Sequence, residues 1–230
     1  LVKTIRLEGV KVLGDPIDFT KKYYEEGADE ILLNDVVASL YERNSLNYVI
    51  KNIASNMFVP ITVTGGIRSI NDVEQVLKSG ADKVGINTAA CNNPHLINEV
   101  SKNFGSSCMV LQVDAKLIAT DKWEPYINGG RDRTYKDLID WIKECNSRGI
   151  GEIFLTSIDR EGTGKGFDDK LIKAVSENSD VPIIIAGGLG SFSDLDILKK
   201  IDGISGIALS NFLHLKKTNI QLIKDYITNL

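Results

Sequence analysis

The sequence predicts an α/β protein, a (β/α)8 TIM barrel built of two half-barrels, with residues 1–230 forming one domain. Three observations lead there. Short strand-like and helix-like segments alternate along the chain, which calls for parallel strands joined by helices. The strand-like segments are near-continuous runs of Ile, Val and Leu, as expected for strands covered on both faces. The chain also repeats itself: Glu152 follows Glu30 by 122 positions, and the same offset relates Pro182 to Pro60, Gly187 to Gly65, Ser191 to Ser69 and Asp194 to Asp72. A doubled half of this size fits two half-barrels, whereas an open doubly wound sheet has no need of equal halves.

In order, residues 1–14 alternate apolar and charged side chains around Gly9 and read as a hairpin-like loop. Asp15-Pro16 starts a helix, with Asp at the N-cap and Pro at the first helical position, and Gly27 stops it after Glu26. Strands are expected at 30–34, 59–63, 83–87, 109–113, 152–156, 182–185 and 206–209. Helices are expected near 46–55, from Ser69, over 93–103 and 135–147, after Asp168, from Ser191, and over 216–228. Residues 117–133 form a longer insertion with Trp123, Tyr126 and Gly129-Gly130, read as a small hairpin. This gives seven barrel strands. Either 2–7 or 10–13 serves as the first strand, or the chain begins after its first strand. The latter is expected, since a seven-stranded opening leaves an apolar edge unpaired.

Composition narrows the function. At 230 residues and 43% hydrophobic content the chain can bury a full core. A net charge of −4 and a pI near 5.3 give no basic footprint for nucleic acid, and scattered Lys and Arg give no membrane surface. No apolar run reaches membrane-span length and residues 1–6 do not read as a signal peptide. Cys91, Cys108 and Cys145 are far apart and separate from His95 and His214. This is the pattern of a reduced, cytoplasmic chain with no metal site, and no cofactor is expected.

The stretch from Ser157 to Asp168 places acids, bases and four glycines after a buried strand, as an α/β enzyme builds its active-site rim. Gly65-Gly66 and Gly187-Gly188 occupy equivalent places, each just before a helix that opens with Ser. Glycine lets the backbone approach an anion that the helix N-terminus attracts, so the two pairs read as phosphate cradles for a bis-phosphorylated ligand. Thr88 and Ser210 end the next strands, again 122 apart, and add hydroxyl donors. Asp35, Asp114 and Glu161 end strands, with Asn87 and Lys116 near the same rim. Carboxylates at that end of a barrel converge on one mouth, where paired acids serve as acid and base. Glu30, Lys83 and Glu152 instead begin alternate strands and should meet in one layer at the barrel floor. Such a ring is either a passage for a small polar molecule or a surface feature without function.

These residues resemble the cyclase subunit of imidazole glycerol phosphate synthase over nearly the whole chain. The resemblance is carried by Gly27-Ala28-Asp29-Glu30, Gly65-Gly66-Ile67-Arg68-Ser69, 80–90, Val113-Asp114-Ala115-Lys116 and 151–159. It implies a heterodimer with a glutaminase subunit docked on the barrel floor. Ammonia would pass the gate of Glu30, Lys83 and Glu152 and meet a bis-phosphorylated ribulosyl aminoimidazole nucleotide at the mouth. The products would be imidazole glycerol phosphate and aminoimidazole carboxamide ribotide, in histidine biosynthesis. By the same resemblance Lys3 is the mobile-loop lysine, Asp114 and Glu161 are catalytic, and Gly66, Thr88, Gly188 and Ser210 hold phosphates. Asp35, Gly65, Asn87, Lys116, Thr156, Gly162 and Gly187 complete the substrate-binding set. The chain departs from the family in lacking the first-strand aspartate, in Glu161 for an aspartate, and in Thr64 for a glycine. Two relatives stay open as alternatives: a barrel subunit of an amidotransferase acting on a surface-polysaccharide sugar, and a non-catalytic partner that conducts ammonia.

Overall fold

The computed structural model describes residues 1–36, 46–215 and 218–230. Its frame is a path of seven parallel strands: β3 (Ile31–Asn34), β4 (Ile61–Thr64), β5 (Lys83–Ile86), β6 (Met109–Ala119), β9 (Glu152–Ser157), β10 (Ile183–Ala186) and β11 (Ile204–Ala208). Each neighbouring pair is in parallel register, for example Ile31 with Ile61 and Ile183 with Ile204. The sheet curls, because residues of its two end strands, β3 and β11, line one cavity. Neither expected first-strand segment joins this sheet. Val2–Ile5 (β1) and Glu8–Val12 (β2) pair only with each other, as an antiparallel hairpin.

Local sequence accounts for the helix ends. Asp15 caps α1 (Pro16–Glu25) by accepting from Ile17 N at 2.7 Å. Asn47–Asn56 (α2) precedes β4. The repeat is visible in the next helix, α3 (Ile70–Lys78): Ser69 and Asp72 form a reciprocal capping box, and Ser191 and Asp194 form its counterpart after β10. The counterpart opens the helix expected from Ser191, which is a 3-10 helix, Phe192–Lys199. Phe192, Leu195 and Leu198 recur every three positions, which suits three residues per turn, and Ile197 beside them is buried as well. A short helix, α4 (Thr88–Asn92), precedes α5 (His95–Phe104). Asp137 and Asp168 cap α6 (Leu138–Arg148) and α7 (Asp169–Ser176). Asn211–His214 (α8) follows β11. The last helix, α9, runs Ile220–Thr228 and is capped by Asn219. Its expected start at residues 216–217 lies outside the described residues.

The insertion lengthens a strand rather than leaving it. β6 continues past Asp114 to Ala119 and pairs with β7 (Lys122–Ile127), which pairs with β8 (Asp132–Arg133). Glu124, almost fully buried, holds this ribbon by accepting from Arg133 at 2.7 Å, and its pKa is lowered: burial opposes its charge, but hydrogen bonds from Arg133 and Tyr135 N outweigh that. The main core lies between sheet and helices, with Trp141, Ile142, Leu111, Ile153 and Leu155 essentially sealed. Each such side chain contributes about 1.5–3 kcal/mol by burial.

Candidate active site

The side chains that point into the curled sheet set up the site. Alternate residues of β6, β9 and β10 (Gln112 and Asp114; Glu152, Phe154 and Thr156; Ile184 and Ala186) face one cavity of about 1370 Å3, which Glu30, Gly85 and successive residues of the end strands β3 and β11 also line. It reaches from Glu30 and Glu152 at the amino ends of the strands to Asp114 and Glu161 at the carboxyl ends, and opens sideways to α1 and α9 at Phe19, Tyr23 and Ile223.

At the floor the three charged strand-openers meet. Lys83 Nζ donates to Glu30 Oε2 at 3.0 Å and to Glu152 Oε2 at 2.9 Å, and Thr62 Oγ1 donates to Glu30. All three side chains are a quarter exposed or less. Burial opposes the charge on Lys83, yet hydrogen bonds to Glu152 and Glu30 outweigh it and raise its pKa. Between floor and mouth the wall carries Gln112, Phe154 and Ile184, and Gly85 leaves room for the Thr64 methyl.

At the mouth Asp114 is 4% exposed. Burial raises its pKa to about 6, against hydrogen bonds from Asn87 and Gln112 that lower it, while the charge of Glu161 adds to the rise. Asn87 Nδ2 donates to Asp114 Oδ2 at 3.0 Å and to Tyr126 O at 2.9 Å, fixing the carboxylate against the insertion. A buried carboxyl that titrates close to neutrality is suited to taking and returning a proton.

The first glycine pair is built by close backbone approach. A Cβ on Gly65, whose φ is +85°, would stand 2.3 Å from Asp35 O, so only glycine fits. Gly65, Gly66, Arg68, Asp35 and Thr88 all line the cavity. Thr88 Oγ1 already accepts from Asn128 N of the insertion, at 3.0 Å. On the other side Gly187, Ser210 and Asn211 line the same cavity. Gly188 does not line the cavity, and its carbonyl accepts from Gly166 N at 2.9 Å. Lys3 and Thr156 line the cavity, whereas Lys116 and Gly162 do not. The Lys116 ammonium lies 5.2 Å from the centre of the Tyr126 ring. Gly162 instead supports the first hairpin. Glu161, 8% exposed, accepts from Thr4 Oγ1 at 3.1 Å and from Leu7 N at 3.0 Å. Asn211 and Arg131 are cavity-lining residues that sequence reading missed; Asn211 directly follows Ser210, which is the one signal that pointed to it. Among the described residues no cluster of His, Cys, Asp or Glu is arranged to hold a metal ion.

Curled parallel strands, acids at their carboxyl ends and glycine turns before the following helices define a (β/α)-barrel enzyme. Comparison with known proteins makes the assignment narrower. A family model described as "Histidine biosynthesis protein" matches residues 1–219, and the chain belongs to that family, whose fold is a TIM barrel. The imidazole glycerol phosphate synthase subunit HisF of Legionella pneumophila is 48% identical over 196 residues, 85% of this chain and 92% of that protein. Its namesake from Helicobacter hepaticus is 43% identical over 228 residues, covering 99% of this chain and 90% of the relative. A third, from Dictyoglomus thermophilum, is 41% identical over 227 residues with the same coverage.

Proposed function

We infer that this chain is the cyclase subunit of imidazole glycerol phosphate synthase, a lyase of histidine biosynthesis that works with a glutaminase subunit. The relatives above carry that name at 41–48% identity over most of both chains. The single observation that carries the reading here is the cavity joining the Glu30–Lys83–Glu152 ring to the mouth that holds Asp114.

In this reading the glutaminase docks on the floor and ammonia enters past Lys83, whose contacts to the two glutamates must open for it to pass. The bis-phosphorylated ribulosyl aminoimidazole nucleotide spans the mouth. One phosphate lies at Gly65, Gly66 and Thr88, the other at Gly187 and Ser210, with the Gly188 turn behind it; Lys3 and Asp35 contact the substrate from the rim. Ammonia adds to the ribulosyl carbonyl and gives a proton to Asp114; the carbonyl oxygen leaves as water, the new nitrogen closes on the bridging carbon, and the bond from that carbon to the carboxamide nucleotide's nitrogen breaks as Asp114 returns the proton to the departing nitrogen. Asn87 holds the Asp114 carboxylate in place. Thr156 lies on the neighbouring strand, paired with Asp114. No cofactor takes part, and the three free cysteines suit a reducing cytoplasm. No helix among the described residues is long and apolar enough to cross a membrane.

The test is direct. The purified chain, given an ammonium salt and the bis-phosphorylated nucleotide, should form imidazole glycerol phosphate and the carboxamide ribotide in equal amounts. Absence of both products, from a folded chain that binds the nucleotide, would end the reading.

A further inference from the structure

The hairpin of β1 and β2 is closed by a costly turn. Ile5 pairs with Glu8, so Arg6 and Leu7 are the two central residues, and both have positive φ, +54° and +61°. That is the geometry of a two-residue turn that ordinarily requires Asn or Gly, because a side-chain Cβ is crowded there. Strained backbone persists only where surrounding contacts fix it. Here one residue supplies the hydrogen bonds to both turn amides. Glu161 accepts Arg6 N on its main-chain carbonyl at 3.0 Å, and accepts Leu7 N and Thr4 Oγ1 on its two carboxylate oxygens at 3.0 and 3.1 Å.

The neighbouring residues are shaped around the same contact. A Cβ on Gly162 would stand 2.6 Å from Thr4 O, so β1 lies directly on the backbone of the loop after β9. Asn211 Nδ2 donates to Thr4 O at 3.1 Å. At the tip, a Cβ on Gly130 would meet the Leu7 side chain at 2.7 Å, so the hairpin also rests on the insertion. Lys3, which lines the cavity, is carried on this hairpin.

We propose that Glu161 is a positioning residue: it clamps the strained Arg6–Leu7 turn and thereby holds the Lys3 hairpin shut over the mouth. Both of its carboxylate oxygens are engaged by the hairpin, and proton transfer falls to Asp114. The role of the hairpin in catalysis rests on the cyclase reading; the clamp itself does not.

The test follows amide hydrogen exchange at Arg6 and Leu7 in the full chain, together with affinity for the bis-phosphorylated nucleotide by calorimetry and steady-state kinetics with ammonia. Loss of a charged hydrogen-bond acceptor in Glu161→Ala should lower Leu7 protection about tenfold or more. Nucleotide affinity should fall and KM should rise with kcat largely kept, and the acid limb of its pH dependence should move slightly to lower pH, because the Glu161 charge no longer adds to the rise at Asp114. Adding Leu7→Gly, which relieves the positive φ, should restore protection and affinity in part. Thr4→Val should act in the same direction as Glu161→Ala, and less than additively with it. Unchanged Leu7 protection in Glu161→Ala would overturn the proposal. So would a collapse of kcat with unchanged KM that Leu7→Gly does not relieve, because Glu161 would then act on the reacting atoms. If the chain turns over no nucleotide yet exchange and affinity respond as described, the clamp stands and the cyclase reading fails.

Discussion

Replacing Asp114 by Asn should make the protein more stable while disabling it. Burial lifts the pKa of this carboxyl from an ordinary 3.8 to about 6. An acid with a raised folded-state pKa carries no penalty below its unfolded value, where both states are protonated. The penalty grows as pH rises from 3.8 and is complete above about 6. At about 1.36 kcal/mol per unit, the native carboxylate costs about 3 kcal/mol near pH 8 and about half that near pH 5. Asparagine keeps an oxygen to accept from Asn87 and carries no charge, so the variant should gain most of that amount at high pH. Urea unfolding of both proteins at several pH values reads it. The two should converge toward pH 4, and the variant should lead by about 2–3 kcal/mol near pH 8. Turnover should fall by roughly 10²–10⁴-fold with nucleotide binding retained. A variant less stable than the parent near pH 8, or a gain independent of pH, would refute the burial argument.

Other outcomes follow from the same geometry. Lys83→Met leaves Glu30 and Glu152 facing each other with their shared cation gone; it should cost about 1–2 kcal/mol of stability, the pair being partly solvated, and should impair turnover driven by glutamine through the partner more than turnover driven by free ammonia. Gly65→Ala forces a Cβ onto Asp35 O at positive φ and should destabilise by about 2 kcal/mol or more while raising KM for the bis-phosphate, as read by thermal unfolding and initial rates. The buried thiols should be inert. Burial pushes Cys91 up to about 12 and raises Cys108 and Cys145 as well, so a disulfide reagent near pH 8 should label none until the chain unfolds.

Much of the frame was legible because it follows from local chemistry. Asp15-Pro16, Ser69–Asp72 and Ser191–Asp194 announce helix starts through short-range hydrogen bonds, and all three form. The Glu30–Lys83–Glu152 contact was legible for a different reason: charges that begin alternate strands of a curled sheet share a layer. What stayed hidden depends on long-range partners. Glu161 binds residues more than 150 positions away, which no local pattern encodes. Gly188 looks like Gly66 in sequence, yet the glycine-rich loop after β9 takes its carbonyl through Gly166. The extension of β6 to Ala119 follows from its pairing with the insertion: Ala115 is still buried, but residues 117–119 are exposed and are held in the strand only by β7.

The most direct test of the central claim is a crystal structure of the chain with the bis-phosphorylated nucleotide bound. One phosphate should lie on the Gly65–Gly66 turn beside Thr88 and the other beside Gly187 and Ser210, with the reacting carbons within reach of Asp114. Both phosphates on the same half-barrel, or a ligand bound away from Asp114, would contradict it.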